Sequence, residues 1–108
     1  MTRDHALRWL PDAYRDLREA RDWYERQDTA LGAEFVAAFW ATVEAIDRGP
    51  ALPRLLDTPA GPAIRRWHFG GSWPYSIVYM FDDNTIVFIA VAHDRRLPTW
   101  WIDRLDQL

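Results

Sequence analysis

The chain contains no cysteine and no lysine. The first absence removes disulfides, thiolate metal sites and cysteine nucleophiles, and it fits a reducing compartment. The second removes lysine bases and Schiff-base chemistry. All thirteen basic residues are arginines, which hold their charge and grip carboxylate or phosphate through a planar fork. Long apolar runs are missing as well: the longest, Ile86 to Ala92, is far too short to span a bilayer. Met1 to His5 is polar and charged, unlike the start of a secretory signal. A soluble protein is expected, in the cytoplasm, with no membrane partner. An excess of basic charge is missing too. The net charge is −3, with eight arginines against ten acids in residues 1–54 and five against six in residues 55–108. That balance lacks the electrostatic footprint of a general nucleic-acid binder. Three histidines (His5, His68, His93) without cysteine give no metal-ligand spacing, and Gly70-Gly71 reads as a turn and not a phosphate loop. No metal and no cofactor is expected.

What is present is periodicity, and its period changes once. Ala6 to Leu10 alternates like a short strand and ends at Pro11, which suits the first turn of a helix because its missing N–H is not needed there. Ala13, Leu17, Ala20 and Tyr24 then recur at helical spacing, with Tyr14 and Trp23 expected to widen the stripe. The other face carries Asp12, Arg15, Asp16, Arg18, Glu19, Asp22 and Glu25, whose i,i+4 pairing reads as a solvated surface. Gln27 to Ala30 is a short connection with Asp28 or Thr29 as N-cap. Leu31, Phe35, Ala38, Phe39, Thr42, Val43 and Ile46 form a second helical stripe, stopped by Gly49-Pro50. So short a link makes the two helices antiparallel neighbours. Residues 50–62, with four prolines, read as a surface loop pinned by Leu52, Leu55 and Leu56.

From about residue 63 the period is that of strands. Ile64–Phe69, Trp73–Phe81 and Thr85–Ala92 are three runs separated by Gly70-Gly71-Ser72 and Asp82-Asp83-Asn84, both turn chemistry. The third run is apolar on both faces, as in a strand central in its sheet. Thr99 is placed to cap a short closing helix with Trp101 and Leu105 on one side. The fold class is therefore α+β in one domain spanning residues 1–108: an N-terminal strand, a helical hairpin, a three-stranded antiparallel meander and a short C-terminal helix or tail. The pattern leaves open where Ala6–Leu10 joins the sheet. The predicted core is Leu17, Phe35, Phe39, Val43, Ile77, Val87, Ile89 and Val91.

Several segments carry a resemblance. The first helix has Ala13-Tyr14-Arg15-Asp16-Leu17-Arg18-Glu19-Ala20 and then Trp23-Tyr24-Glu25; the second opens with Leu31-Gly32 and Phe35. The sheet has Arg65, then Trp73-Pro74-Tyr75-Ser76-Ile77-Val78-Tyr79, then Ala90-Val91-Ala92-His93-Asp94-Arg95-Arg96-Leu97-Pro98 with Trp101 beyond. In this order, from Ala6 to Arg104, the chain resembles the RelE/ParE superfamily of bacterial type II toxin–antitoxin toxins, and its ending resembles ParE-like members. The resemblance implies a small sheet with a helical hairpin on one face. It also implies a cognate antitoxin that neutralises the toxin by wrapping a segment over its surface, with a homodimer or a hetero-oligomer with antitoxin as the assembly. It leaves three functions: a ParE-like inhibitor that binds DNA gyrase, a RelE-like enzyme cutting mRNA on the ribosome, or an inactive relative that binds only its antitoxin.

Cutting RNA through its 2′-OH needs a base, an acid and cations at the phosphate. Arg65, His93 and Arg95 are the catalytic candidates for that alternative, with Arg66 and Arg96 as further phosphate cations. Against it, RelE resembles a lysine-rich site, and the aromatic that RelE-like enzymes place after the last strand is replaced here by Asp94 and Arg95. The ParE-like reading needs no enzyme chemistry, only a surface. Its expected binding residues are Arg65, His93, Arg95, Arg96, Trp100 and Trp101, with Trp73 adding to an aromatic-rich end. The plainer role for His93 is to cap the strand end or pack under the closing helix, and for Arg65 to pair with Asp94 or with an acid of the helical hairpin.

Overall fold

The computed structural model describes residues 3–49, 63–96 and 99–108. The expected loop over residues 50–62, with Leu52, Leu55 and Leu56, lies outside the described residues, as do Leu97 and Pro98. The element order is β1 (Ala6–Trp9), α1 (Pro11–Gln27), α2 (Thr29–Arg48), β2 (Arg65–His68), β3 (Tyr75–Asp82), β4 (Thr85–His93) and a closing 3₁₀ helix (Ile102–Gln107). This is the anticipated α+β arrangement.

The sheet order is β1-β4-β3-β2. β2, β3 and β4 form the antiparallel meander, and β1 lies parallel to β4, with Ala6 opposite Thr85 and Trp9 opposite Phe88. The N-terminal strand therefore joins beside the last strand, which makes β4 central and accounts for the burial of Ile86 to Ala92 without interruption. The β3–β4 register passes from Val78↔Ala90 to Tyr79↔Phe88, leaving Ile89 as an extra residue in a bulge. The hairpin between these strands turns at Asp83, whose φ of 52° is a left-handed conformation that aspartate tolerates better than most residues.

Both helices cover one sheet face. Phe39 of α2 stacks on Trp9 and meets Phe88, the register partner of Trp9. Phe35 packs on Phe69 and Tyr75. The eight predicted core residues are all buried. A single residue, Asp28, separates the helices; its carboxylate accepts the Ala30 N–H (2.9 Å), so it is the N-cap of α2. Gly32 sits at the crossing, where a Cβ would lie 3.0 Å from the Glu25 Cβ and 3.3 Å from the Arg21 carbonyl. Gly49 ends α2 in the left-handed conformation, at φ 55°. By length and composition α2 could cross a membrane. Its large apolar side chains Phe35, Phe39, Val43 and Ile46 are instead used in the core. The N-terminal segment is tied to its C-terminal turn: buried Asp47 accepts the backbone N–H groups of Asp4 (3.0 Å) and His5 (2.9 Å) and pairs with the His5 ring (2.9 Å).

Four expectations need correcting. Tyr14 and Trp23 do not widen the buried stripe of α1; each is 50% exposed. At roughly 100° per residue they fall about 90° to either side of the stripe's centre, where a helix leaves the core. Asp12 and Asp16 are not plain surface residues, because the C-terminal tail returns to that flank and uses both. The closing helix is a 3₁₀ helix without a side-chain cap, and Thr99 contributes only its carbonyl, to the Ile102 N–H. Trp101, expected at a binding surface, is buried in the core at 2% exposure.

Candidate functional site

β4 runs past the end of β1. The last bond between them is from the Leu10 N–H to the Phe88 carbonyl (3.0 Å). Beyond it, side chains take over the open edge. The Val91 N–H donates to Asp16 Oδ2 (3.0 Å), and Arg104 donates through Nη1 to the Ile89 carbonyl (3.1 Å). Arg104 also grips Asp16 with both terminal nitrogens (2.6 and 2.9 Å). One helical turn earlier, Gln107 donates to Asp12 (2.9 Å), a bond that holds the Asp12 carboxyl below the usual range. The tail thus fills the N-terminal half of the groove between α1 and β4.

The strand then ends at His93 in a tight turn. The Arg96 N–H donates to the His93 carbonyl (3.0 Å), and the Arg95 N–H donates to His93 Nδ1 (3.1 Å), so that nitrogen is an acceptor and the ring caps the turn. The ring meets Tyr75 edge-on at 5.1 Å. Asp94 points the other way, as strand alternation requires. It accepts from Arg66 (2.7 Å) and Ser76 (3.0 Å), pairs with the His68 ring (2.8 Å), and its N–H donates to the Pro74 carbonyl (2.8 Å). Burial alone would push the Asp94 carboxyl up, but Arg66, Ser76 and His68 together hold it below the ordinary carboxylate value. Asp94 therefore fastens the turn that carries Arg95 and Arg96 to β2 and β3.

Between this turn and the C-terminal half of α1 lies a cleft of about 530 Å³, lined by Trp23, Tyr24, Pro74, Tyr75, His93 and Arg95. A shallower hollow shares Trp23, Tyr75 and His93 and continues to Asp16, Glu19, Val91 and Arg96. Arg95 and Arg96 are exposed and form no ion pair among the described residues. Arg96 lies over the Trp100 ring at 3.8 Å, and Arg104 over the same ring at 4.5 Å.

The structure thus gathers four of the predicted residues, His93, Arg95, Arg96 and Trp100, at one end of the molecule. It does not bring Arg65 to them. Arg65 opens β2 opposite Tyr79, whereas His93 stands opposite Tyr75, four residues or roughly 13 Å along the strand. There burial pushes the Tyr79 phenol up to about 12, with the Arg65 charge acting the other way. The partner of Asp94 is Arg66 and not Arg65. Sequence reasoning missed Trp23, His68, Ser76, Asp16 and Arg104 as site residues, and took Arg66 for a phosphate cation where it is the partner of Asp94. Arg66 and His68 do alternate in β2, and Ser76 lies opposite His68, but that signal needs the register of β2 on β3. Among the described residues no group of three His, Cys, Asp or Glu is placed to hold a metal ion.

A family model described as the ParE toxin of the type II toxin–antitoxin system parDE matches residues 7–98. Among solved structures, the chain is similar in fold to one from the chromosomal ParDE TA system of P. aeruginosa. The TM-score is 0.69 at 17% identity, covering 85% of this chain and 98% of that one. No curated protein matches.

Proposed function

Because the chain belongs to the ParE toxin family of type II toxin–antitoxin systems, we propose that it acts in the cytoplasm as a toxin that binds and inhibits a protein target, DNA gyrase, and is neutralised by a cognate antitoxin. The observation that carries a binding mechanism over RNA cleavage is the state of His93. Its Nδ1 already serves the Arg95 N–H, its ring packs on Tyr75, and Arg65, one of the three residues expected to form a nuclease site, is far along the sheet. Proton transfer in a nuclease needs a base free to reach the attacking hydroxyl with cations around the phosphate. A binding surface needs neither, and the exposed guanidinium groups of Arg95 and Arg96 suit one.

The test is induced expression without antitoxin, following plasmid supercoiling and mRNA integrity in the same cultures. Growth arrest with altered supercoiling and intact mRNA supports the proposal. Rapid mRNA cleavage on translating ribosomes, abolished by His93→Ala in a folded protein, would replace it with a ribonuclease. No arrest and no supercoiling change would leave a relative that binds only its antitoxin.

A further inference from the structure

We infer that the outer face of the helical hairpin, the side turned away from the sheet, is an interface between two copies of this chain related by a twofold axis. The two helices differ on that side. α1 is charged at most of its exposed positions, whereas the exposed positions of α2 include Ala30, Ala33, Ala37 and Ala41. Beside them, at the seam between the helices, stand three aromatic rings. Trp9 meets Tyr14 of α1 edge-on at 5.7 Å and Trp40 of α2 edge-on at 6.4 Å. Tyr14 is half exposed and Trp40 is only partly buried. This outer face is why α2 passes for a membrane helix by composition: its inner face fills the core, and its outer face is short of charge as well. A helix that is apolar all round is one that is covered all round.

The charges around this face select the occupant. On the α1 side Arg15 pairs with Asp12 (3.4 Å) and Arg21 with Asp22 (2.9 Å). That leaves Arg18, which lies over the Tyr14 ring at 5.6 Å. On the α2 side Glu44 follows Trp40 by one helical turn and shares its flank. Neither Arg18 nor Glu44 forms an ion pair among the described residues. At the margins Arg3, Arg26 and Arg48 are exposed with Asp4, Glu25 and Glu34, three of each sign. The face is thus close to neutral, and it draws neither a strongly acidic nor a strongly basic partner. Its two unpaired charges, unlike in sign, flank an apolar centre. Such a surface complements itself: a twofold axis sets Arg18 of each copy against Glu44 of the other. The size also suits a dimer. The 20 residues of α2 make the hairpin face about 30 Å long and about 20 Å across, or about 600 Å² in projection. A standard interface covers about 800 Å² of accessible surface on each partner, and the accessible area of a ridged face exceeds its projection. Tyr14 and Trp23 lie on opposite flanks of α1, so this pairing leaves the end with Arg95 and Arg96 clear, and the dimer presents that end twice.

The test is sedimentation equilibrium of the purified full chain over a range of concentrations. A dimer is expected, with a dissociation constant below about 100 μM. Ala37→Glu, at an exposed helical position, should weaken it at least about tenfold, and so should Arg18→Glu and Glu44→Arg singly, each confirmed as folded by thermal melting. The double variant Arg18→Glu/Glu44→Arg should associate like the parent chain, as a direct contact across the axis requires. Trp23→Ser, on the other flank of α1, should also associate like the parent. A chain still monomeric at about 100 μM, a dimer indifferent to Ala37→Glu, or a charge swap without rescue would overturn the inference. The readout is mass in solution, so a chain that dimerises in this way but fails to arrest growth counts against the toxin reading and not against the interface.

Discussion

Arg104 and Asp16 stand in the sheet where β1 has ended: the Arg104 guanidinium serves the Ile89 carbonyl and the Asp16 carboxylate serves the Val91 N–H, while the two groups pair at 2.6 Å. Both side chains are mostly buried, at 15% and 11% exposure. Removing either strands the other charge and one backbone group of a central strand. Arg104→Ala and Asp16→Ala should each lower stability by about 3 kcal/mol, toward the lower end of what breaking a buried pair costs. Urea denaturation of both single variants and the double variant checks this. The double variant should cost well under the sum, and strict additivity would mean the two groups act separately.

The core predictions are simpler. Phe39 is fully buried between Trp9 and Phe88, and Ile89 is the buried residue of the bulge. Phe39→Ala and Ile89→Ala should cost about 2–5 kcal/mol each. Changes within about 0.5 kcal/mol at both sites would contradict the packing.

At Gly32 two effects compete. Helix propensity alone favours Gly→Ala by about 1 kcal/mol. Against that, the new methyl would meet α1 at 3.0 Å, next to a backbone carbonyl that cannot swing away. Overpacking of this kind costs about 1–3 kcal/mol, so Gly32→Ala should be net destabilising or near neutral. A melting temperature raised by several degrees would show that the helices can separate freely.

Acid should loosen both ends of the molecule. Burial works to raise Asp47 and Asp94, but their hydrogen-bonding partners prevail and hold each below the ordinary aspartate value. A folded value below the unfolded one means that the unfolded chain takes up the proton first. The stabilisation is therefore complete above that value and is lost as pH falls through the lower, folded values. The urea midpoint should be level from about pH 7 to 5 with respect to these groups and drop below about pH 4. Asp47→Asn and Asp94→Asn should each flatten that acid limb; an unchanged limb in both would mean that other carboxylates set it.

For function, His93→Ala should cost about 1 kcal/mol of stability through the lost turn bond and leave growth arrest in place. Arg95→Ala and Arg96→Ala should leave stability nearly unchanged. They should weaken target binding by about 2–5 kcal/mol where the charge is desolvated on docking. A nuclease would reverse the order, with His93→Ala losing about 10²–10⁴ in rate.

The fold was legible because its signals are local. The change from helical to strand period, Gly49 as a helix stop and the polar turn at Asp83 each act within a few residues, and burial of Phe35, Phe39 and Val91 follows from their stripes. What stayed hidden depends on contacts distant in sequence. Asp16 reads as one acid among many on α1 until Arg104 arrives from the far end of the chain. Trp23 reads as core until the helix is set on the sheet and its flank is found uncovered. Arg65 and His93 look like neighbours when strand ends are imagined together, but the antiparallel register of β2 on β3 separates them.

The parallel contact of β1 with β4 has a bearing on synthesis. β1 waits for β4, the last of the described strands: Ala6 pairs with Thr85, a separation of 85 − 6 = 79 residues. Pairings this distant form late, because the loop must close before any contact rewards it. While the chain is still on the ribosome, the helical hairpin can assemble, but the face that receives β1 does not exist and Asp16 has no Arg104. Nascent chains stalled before β4 should be open to protease. The Arg95–Arg96 turn, which follows β4, is thus positioned only once that strand has been made and has closed the sheet.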